Sequence, residues 1–173
     1  IFFSAFAVTL PAEVWADANR LRRMALAVAL LLLFLIAANH SGKISDIVYA
    51  KGVRRDPGWV EFARWNAISR VEVDRLINAK TIVIDADAST YIMNAGPNEW
   101  NNPGWQKALQ SAPPALANVL RPRGSYAIIG PGGGVDVLRA LAAGSLNVTG
   151  IEINPIIANT IMRGRYAGYS QHL

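Results

Sequence analysis

Between Tyr126 and Pro155 the chain reads YAIIGPGGGVDVLRALAAGSLNVTGIEINP. Four glycines, Gly130, Gly132, Gly133 and Gly134, follow an apolar run, and Glu152 stands twenty-two residues after Gly130. A glycine loop lets a ligand approach the backbone where any Cβ would block it. A carboxylate about 20 residues further on is placed to accept hydrogen bonds from both hydroxyls of a ribose. Together they are chemistry for holding a nucleoside. No Gly-Lys-Ser/Thr of a phosphate loop follows, and the glycines depart from the Gly-x-Gly-x-x-Gly register of dinucleotide proteins. The pattern therefore points to adenosine binding without a pyrophosphate. A glycine-rich turn that binds nothing is the alternative.

A second constellation is Asp85 and Asp87, just past the β-branched run TIVI. Two carboxylates two residues apart at a strand end could bind a cation or an amine. They could equally be turn formers, since aspartate hydrogen-bonds its own backbone well. The chain has no cysteine and only two histidines, His40 and His172. That excludes disulfides, thiolate nucleophiles and a multi-histidine metal site, and no metal is expected.

The elements that must position these residues follow from periodicity. Tyr126–Ile129 reads as a strand buried on both faces of a parallel sheet. Val135–Ala143 reads as a helix, with Val135, Leu138 and Leu141 at helical spacing and Gly144 at its end. Asn147–Ile153 is the next strand, and Asn154-Pro155 opens a further helix over Ile156–Tyr166. Upstream, Ile44–Ala50 is a short strand, and Asp56-Pro57-Gly58 is a turn. Trp65–Asp74 alternates with a period near two, as a half-buried strand does, with Ile68, Val71 and Val73 on its apolar side. Thr81–Ile84 is its antiparallel partner, joined through Leu76–Lys80. Asn94–Gly104 is a loop carrying Trp100, with Trp105 beside it; Gln106–Leu120 is helical with a break at Pro113-Pro114, and Leu116, Val119 and Leu120 form its apolar face.

The N-terminal part is different in kind. Met24–Ala38 has no polar side chain, and as a helix it reaches ~22 Å against a hydrocarbon core of ~30 Å. Arg20, Arg22 and Arg23 precede it and could snorkel to the headgroups. A membrane span is the reading; a buried helix of a soluble domain and a cleaved signal peptide are the alternatives. Ile1–Leu10 reads as the tail of an earlier span, with Pro11–Asn19 as the intervening loop. The arginines favour a cytoplasmic side before the span, but Lys43, Lys51, Arg54 and Arg55 crowd the other side. The chain is 52% apolar and 17% charged, where soluble proteins carry ~25% charged residues. Its net charge of +5 is spread along the sequence, so no nucleic-acid partner is expected.

The residues AIIGPGGGVDVLRAL followed by VTGIEINP resemble the S-adenosylmethionine-type fold and, more closely, the spermidine synthase family. The segments SRVEV and IVIDADAST resemble the small β-domain that precedes the core in that family. A span before such a domain is similar to the membrane-bound spermidine synthase-like proteins of bacteria, in which a bundle of helices is fused in front. The resemblance covers Lys43–Leu173 and implies an α/β fold. In it, a truncated Rossmann-like parallel sheet of methyltransferase type follows a small antiparallel β-domain and an N-terminal transmembrane helix. The implied segments are 1–42 (membrane-associated, span at 24–38), 43–95 (β-domain), 96–124 (loop and connecting helix) and 125–173 (the first part of the nucleoside-binding domain). The sequence opens on Ile1 and stops at Leu173, where such a domain would only be starting, so it reads as a fragment of a longer protein.

The activity implied is transfer of an aminopropyl group from decarboxylated S-adenosylmethionine to a polyamine acceptor. Gly130, Gly132, Gly133 and Gly134 would line the nucleoside, Glu152 would hold the ribose, and Asp136 would assist through the loop backbone. Asp85 and Asp87 are the nearby candidates for the amine, and the general base is expected beyond Leu173. The family's aspartate within the glycine motif, its glutamine after the second strand and its Tyr-His-Glu triplet have no counterpart here. Polyamine specificity stays open for that reason. S-adenosylmethionine-dependent methyl transfer, or a non-catalytic membrane protein with a degenerate domain, are the alternatives. The implied location is the bacterial inner membrane, with lipid around the span, the domain in the cytoplasm, and a homo-oligomer as a further implied state.

Overall fold

A computed structural model of the chain describes residues 18–40 and 45–173. Its contacts divide the chain into two units, Ile1–Asp46 and Ile47–Leu173. In the first, α1 (Ala18–Ala38) is a helix of 21 residues, which at 1.5 Å per residue reaches ~31 Å. The helix begins ahead of the expected 24–38 because the arginines continue it, arginine being a good helix former. Asn19–Ala38 is long and apolar enough to cross a membrane, and none of it is buried within the protein. Met24, Leu30, Phe34 and Ile36 stand exposed on several sides of it. Past the helix end, the Asn39 amide bonds both backbone groups of Ser45 at 2.7 and 2.8 Å. The expected earlier span over Ile1–Leu10 lies outside the described residues.

The second unit is mixed α/β. A hairpin pairs β1 (Tyr49–Ala50) with β2 (Val53–Arg54). Its turn, Lys51-Gly52, has φ of 49° and 79°, the primed geometry that matches strand twist. A four-stranded antiparallel sheet follows in chain order, β3 (Val60–Trp65), β4 (Arg70–Arg75), β5 (Lys80–Ile84) and β6 (Ala88–Ile92). The pairing of β4 with β5 is the antiparallel pair expected from sequence. The expected strand Trp65–Asp74 is interrupted, however. Asn66 Oδ1 accepts from the amides of Ile68 and Ser69, both at 2.9 Å, and this side-chain turn stops β3 and starts β4. Of the expected strand Ile44–Ala50, Tyr49–Ala50 is a strand and 45–48 is not, while Ile44 lies outside the described residues.

The β4 strand is covered on both faces, so its alternation hides more than a half-buried strand would. Val71 and Val73, with Ile82 and Ile92, pack against Ile156, Ile157, Ile161 and Met162 in the main core. Arg70, Glu72 and Asp74 occupy the opposite face and are 1%, 0% and 9% exposed, where the sequence pattern had put solvent. They survive burial by pairing. Arg70 and Arg55 both bond the Glu72 carboxylate, and Arg55 reaches Asp74 Oδ2 at 3.0 Å. Burial, followed by the charge of Glu72, pushes the Asp74 carboxyl up.

Helices α2 (Pro97–Trp100), α3 (Pro103–Ser111) and α4 (Leu116–Leu120) follow, with a 3-10 turn at Pro113–Ala115. The proline break falls where the sequence puts it, but the apolar face does not. Leu116, Val119 and Leu120 are exposed, while Ala115 and Asn118 are buried. The last elements are β7 (Tyr126–Ile129), α5 (Val135–Ala142) and β8 (Val148–Ile151), and then a π-helix at Ile156–Arg165. Strands β7 and β8 form a two-stranded parallel sheet, so the described residues contain one βαβ unit. Ile129 is 85% exposed, against the expectation of a strand buried on both faces. Among the described residues no layer covers that side.

The sheet and the π-helix are also joined at their margin. Lys80 Nζ donates to both Glu61 oxygens at 2.7 and 2.5 Å and lies 5.6 and 5.5 Å from the rings of Tyr166 and Tyr169. Its hydrogen bond holds the Glu61 carboxyl below the usual range, against the opposing effect of burial. A carboxylate with a lowered folded pKa stabilises above its unfolded pKa, and that contribution fades as the pH falls through the folded value. Glu61→Gln should therefore cost on the order of 1 kcal/mol at neutral pH. The difference from wild type should shrink towards zero below about pH 4, as read by urea melts across that range.

Candidate functional site

The strand–loop–helix–strand pattern read from the sequence is present and brings part of the expected site together. Strand β7 ends at Ile129, and the Gly130 amide continues the ladder to the Ile151 carbonyl at 2.9 Å. The loop closes with Gly134 N–H donating to the Pro131 carbonyl at 2.9 Å, and α5 begins there. Gly132 has φ of +51°, and a Cβ would come within 2.9 Å of Thr90 Cγ2. Gly133 is the closest approach of all. A Cβ there would stand 1.9 Å from the Tyr91 carbonyl oxygen, and the Gly133 carbonyl accepts from the Met93 amide at 2.9 Å. Part of the glycine density thus serves to seat the loop on β6.

A cavity of about 450 Å³ opens beside the loop, within the size range of small-molecule sites. Gly132, Gly134, Glu152, Ile153, Met162 and Arg163 are among its walls. The remaining expected loop residues, Gly130 and Gly133, lie outside the lining, as does Asp136, whose carboxylate pairs with Arg139 one turn along α5. Glu152 is half-buried, and its Oε1 accepts from the Asn154 amide at 2.9 Å. That bond fixes the carboxylate and leaves Oε2 for a ligand. The walls mix apolar side chains, Val137, Ile157 and Leu173 among them, with the polar Glu152, Asn159 and Arg163. Two loop glycines, several apolar side chains and the Glu152 carboxylate thus line one cavity.

Asp85 and Asp87 do not line this cavity. Asp85 sits at φ of 50° in the β5–β6 turn, and its Oδ1 accepts from the Arg70 amide at 2.8 Å. Asp87 pairs with Lys51 at 2.8 Å and borders a second cavity. No family profile, curated protein or solved structure matches the chain.

Met162 and Arg163 were not legible as site residues. Ile157, Ala158, Asn159, Met162 and Arg163 of the π-helix all reach this cavity, and no local sequence signal marks the last two as more than helix residues. Asn154 was also missed as more than a helix start. It is 3% exposed. Its Nδ2 donates to Ser69 Oγ at 2.9 Å, and its Oδ1 accepts from Asn66 Nδ2 at 2.8 Å and from the Ile156 amide at 3.0 Å.

Asn154→Ala should leave these groups unpaired and cost about 3 kcal/mol, since each stranded buried group costs about 1–3 kcal/mol. Denaturant unfolding measures that loss. Gly133→Ala should cost at least as much, because the clash is with backbone, whereas Gly130→Ala meets no atom within 4 Å and should cost only the ~1–2 kcal/mol of a left-handed alanine.

Proposed function

We propose that this chain carries the nucleoside-binding part of a spermidine synthase-like transferase, which uses decarboxylated S-adenosylmethionine to alkylate a polyamine. One observation carries the reading. Gly132, Gly134 and Glu152, picked from sequence for nucleoside chemistry, converge on a single cavity whose wall also carries apolar side chains. The βαβ unit is then the first part of a Rossmann-like, methyltransferase-type sheet.

In this reading Glu152 Oε2 accepts from the ribose hydroxyls, and the bond from the Asn154 amide keeps the carboxylate aimed. Apolar side chains of the wall, Val137, Ile153 and Ile157, pack against the base, and Gly132 admits the ligand to the backbone. The cosubstrate supplies an activated sulfonium. What the protein must add is an oriented amine and an acceptor for its proton. Glu152 is the only carboxylate among the described lining residues, and the ribose occupies it. The base is therefore another residue. Helix α1 serves as a span of a bacterial inner membrane, with the transferase domain on the cytoplasmic side, where the nucleoside is found.

A second reading, methyl transfer from S-adenosylmethionine, gains from Arg163. A guanidinium at the wall of the cavity matches a carboxylate, which the decarboxylated compound lacks. Calorimetric titration of both compounds separates the readings. The primary reading expects tighter binding of the decarboxylated form, weakened at least tenfold in Glu152→Gln. Tighter binding of the carboxylated form, selectively weakened in Arg163→Ala, would support methyl transfer. Binding of neither compound to the wild type would overturn both.

A further inference from the structure

A second cavity, of about 560 Å³, lies between the β1–β2 hairpin and the sheet face that carries Glu72 and Asp74. It shares no lining residue with the first. Three features give it chemistry. Asp74, 9% exposed, is part of its wall. One carboxylate oxygen takes Arg55 at 3.0 Å, while Oδ1 is buried and accepts no hydrogen bond. A buried acceptor without a donor is costly and rare in native proteins. Trp59 and Tyr91 stand at the same cavity, each 57% exposed, and present ring faces with polar tips. Thr81 and Ser89 contribute hydroxyls.

The charges decide what kind of ligand these groups accept. Asp56, Asp74 and Asp87 line the cavity with Arg54 and Arg55. An anion would meet three carboxylates, and an ammonium would meet two guanidinium groups. A neutral ligand meets neither difficulty, and its hydroxyls both donate and accept. We propose that this cavity binds a neutral sugar, one hydroxyl donating to Asp74 Oδ1 and the C–H face of the ring resting on Trp59. Hydroxyls of such a ligand also accept from Arg54. The inference does not rest on the nucleoside reading, since the two cavities share no lining residue.

The test is titration of the 173-residue chain, in a detergent without a sugar headgroup, followed by amide resonances. Glucose, galactose, maltose and myo-inositol are the neutral probes; putrescine and succinate are the charged ones. The proposal expects saturable shifts at Trp59, Thr81 and Ser89 with at least one neutral probe. The affinity should fall at least tenfold in Trp59→Ala and in Asp74→Asn. Trp59→Ala removes a side chain that is more than half exposed, so it carries the test if Asp74→Asn fails to fold. Shifts with a charged probe alone, no saturable shift with any neutral probe, or equal affinity in wild type and Trp59→Ala would each overturn it.

Discussion

The Asn154 side chain is the tie on which the arrangement of the second unit depends. It follows Glu152 at the end of β8, yet it bonds Ser69 and Asn66 in the β3–β4 turn, 85 and 88 residues away in the chain. It also caps the start of the π-helix through the Ile156 amide, while its own amide holds Glu152. One buried amide therefore fixes the βαβ unit, the antiparallel sheet and the helix that covers that sheet. The cavity beside the glycine loop exists because these elements are held at that spacing. Proline at position 155 is compatible with this, since it occupies a first-turn position where its missing N–H costs nothing.

The antiparallel sheet acts as a layer with two different faces. The face of Val71 and Val73 buries the π-helix and supports the first cavity from below through Ile157 and Met162. The face of Glu72 and Asp74 carries buried charges paired through Arg55 and Arg70. An apolar face alone would have been cheaper to bury. Retaining ionised groups there keeps a polar wall for the second cavity. Thr90 and Tyr91 on β6 touch the glycine loop, so the same strand that borders the second cavity seats the first.

The sequence was most readable where one residue type has one physical use. The glycine loop, α5, Gly144 and the acidic strand end were legible because glycine permits positive φ and close approach, and because the helical period is strong. The β4–β5 pair was legible from β-branched alternation. Strand β3 and the turn at Asn66 were not, because an asparagine that turns the chain looks, in sequence, like any polar residue between apolar ones. Burial of Arg70, Glu72 and Asp74 was invisible for a related reason. Their partner Arg55 lies on another segment, and nothing local marks a charge as paired. The cavity residues Met162 and Arg163 were not legible, because a methionine and an arginine on a helix look in sequence like core and solvated residues until the facing elements are placed. Asp85 was legible as a pair of meanings, and its bond to the Arg70 amide is the turn-forming one.

The central claim is that the cavity beside Gly132 and Glu152 holds a nucleoside. Determining the structure of the chain with S-adenosylhomocysteine bound tests it most directly. The account predicts the ribose hydroxyls within hydrogen-bond distance of the Glu152 carboxylate, with the adenine between Ile153 and the π-helix. A nucleoside bound elsewhere, or a ribose out of reach of Glu152, would contradict it.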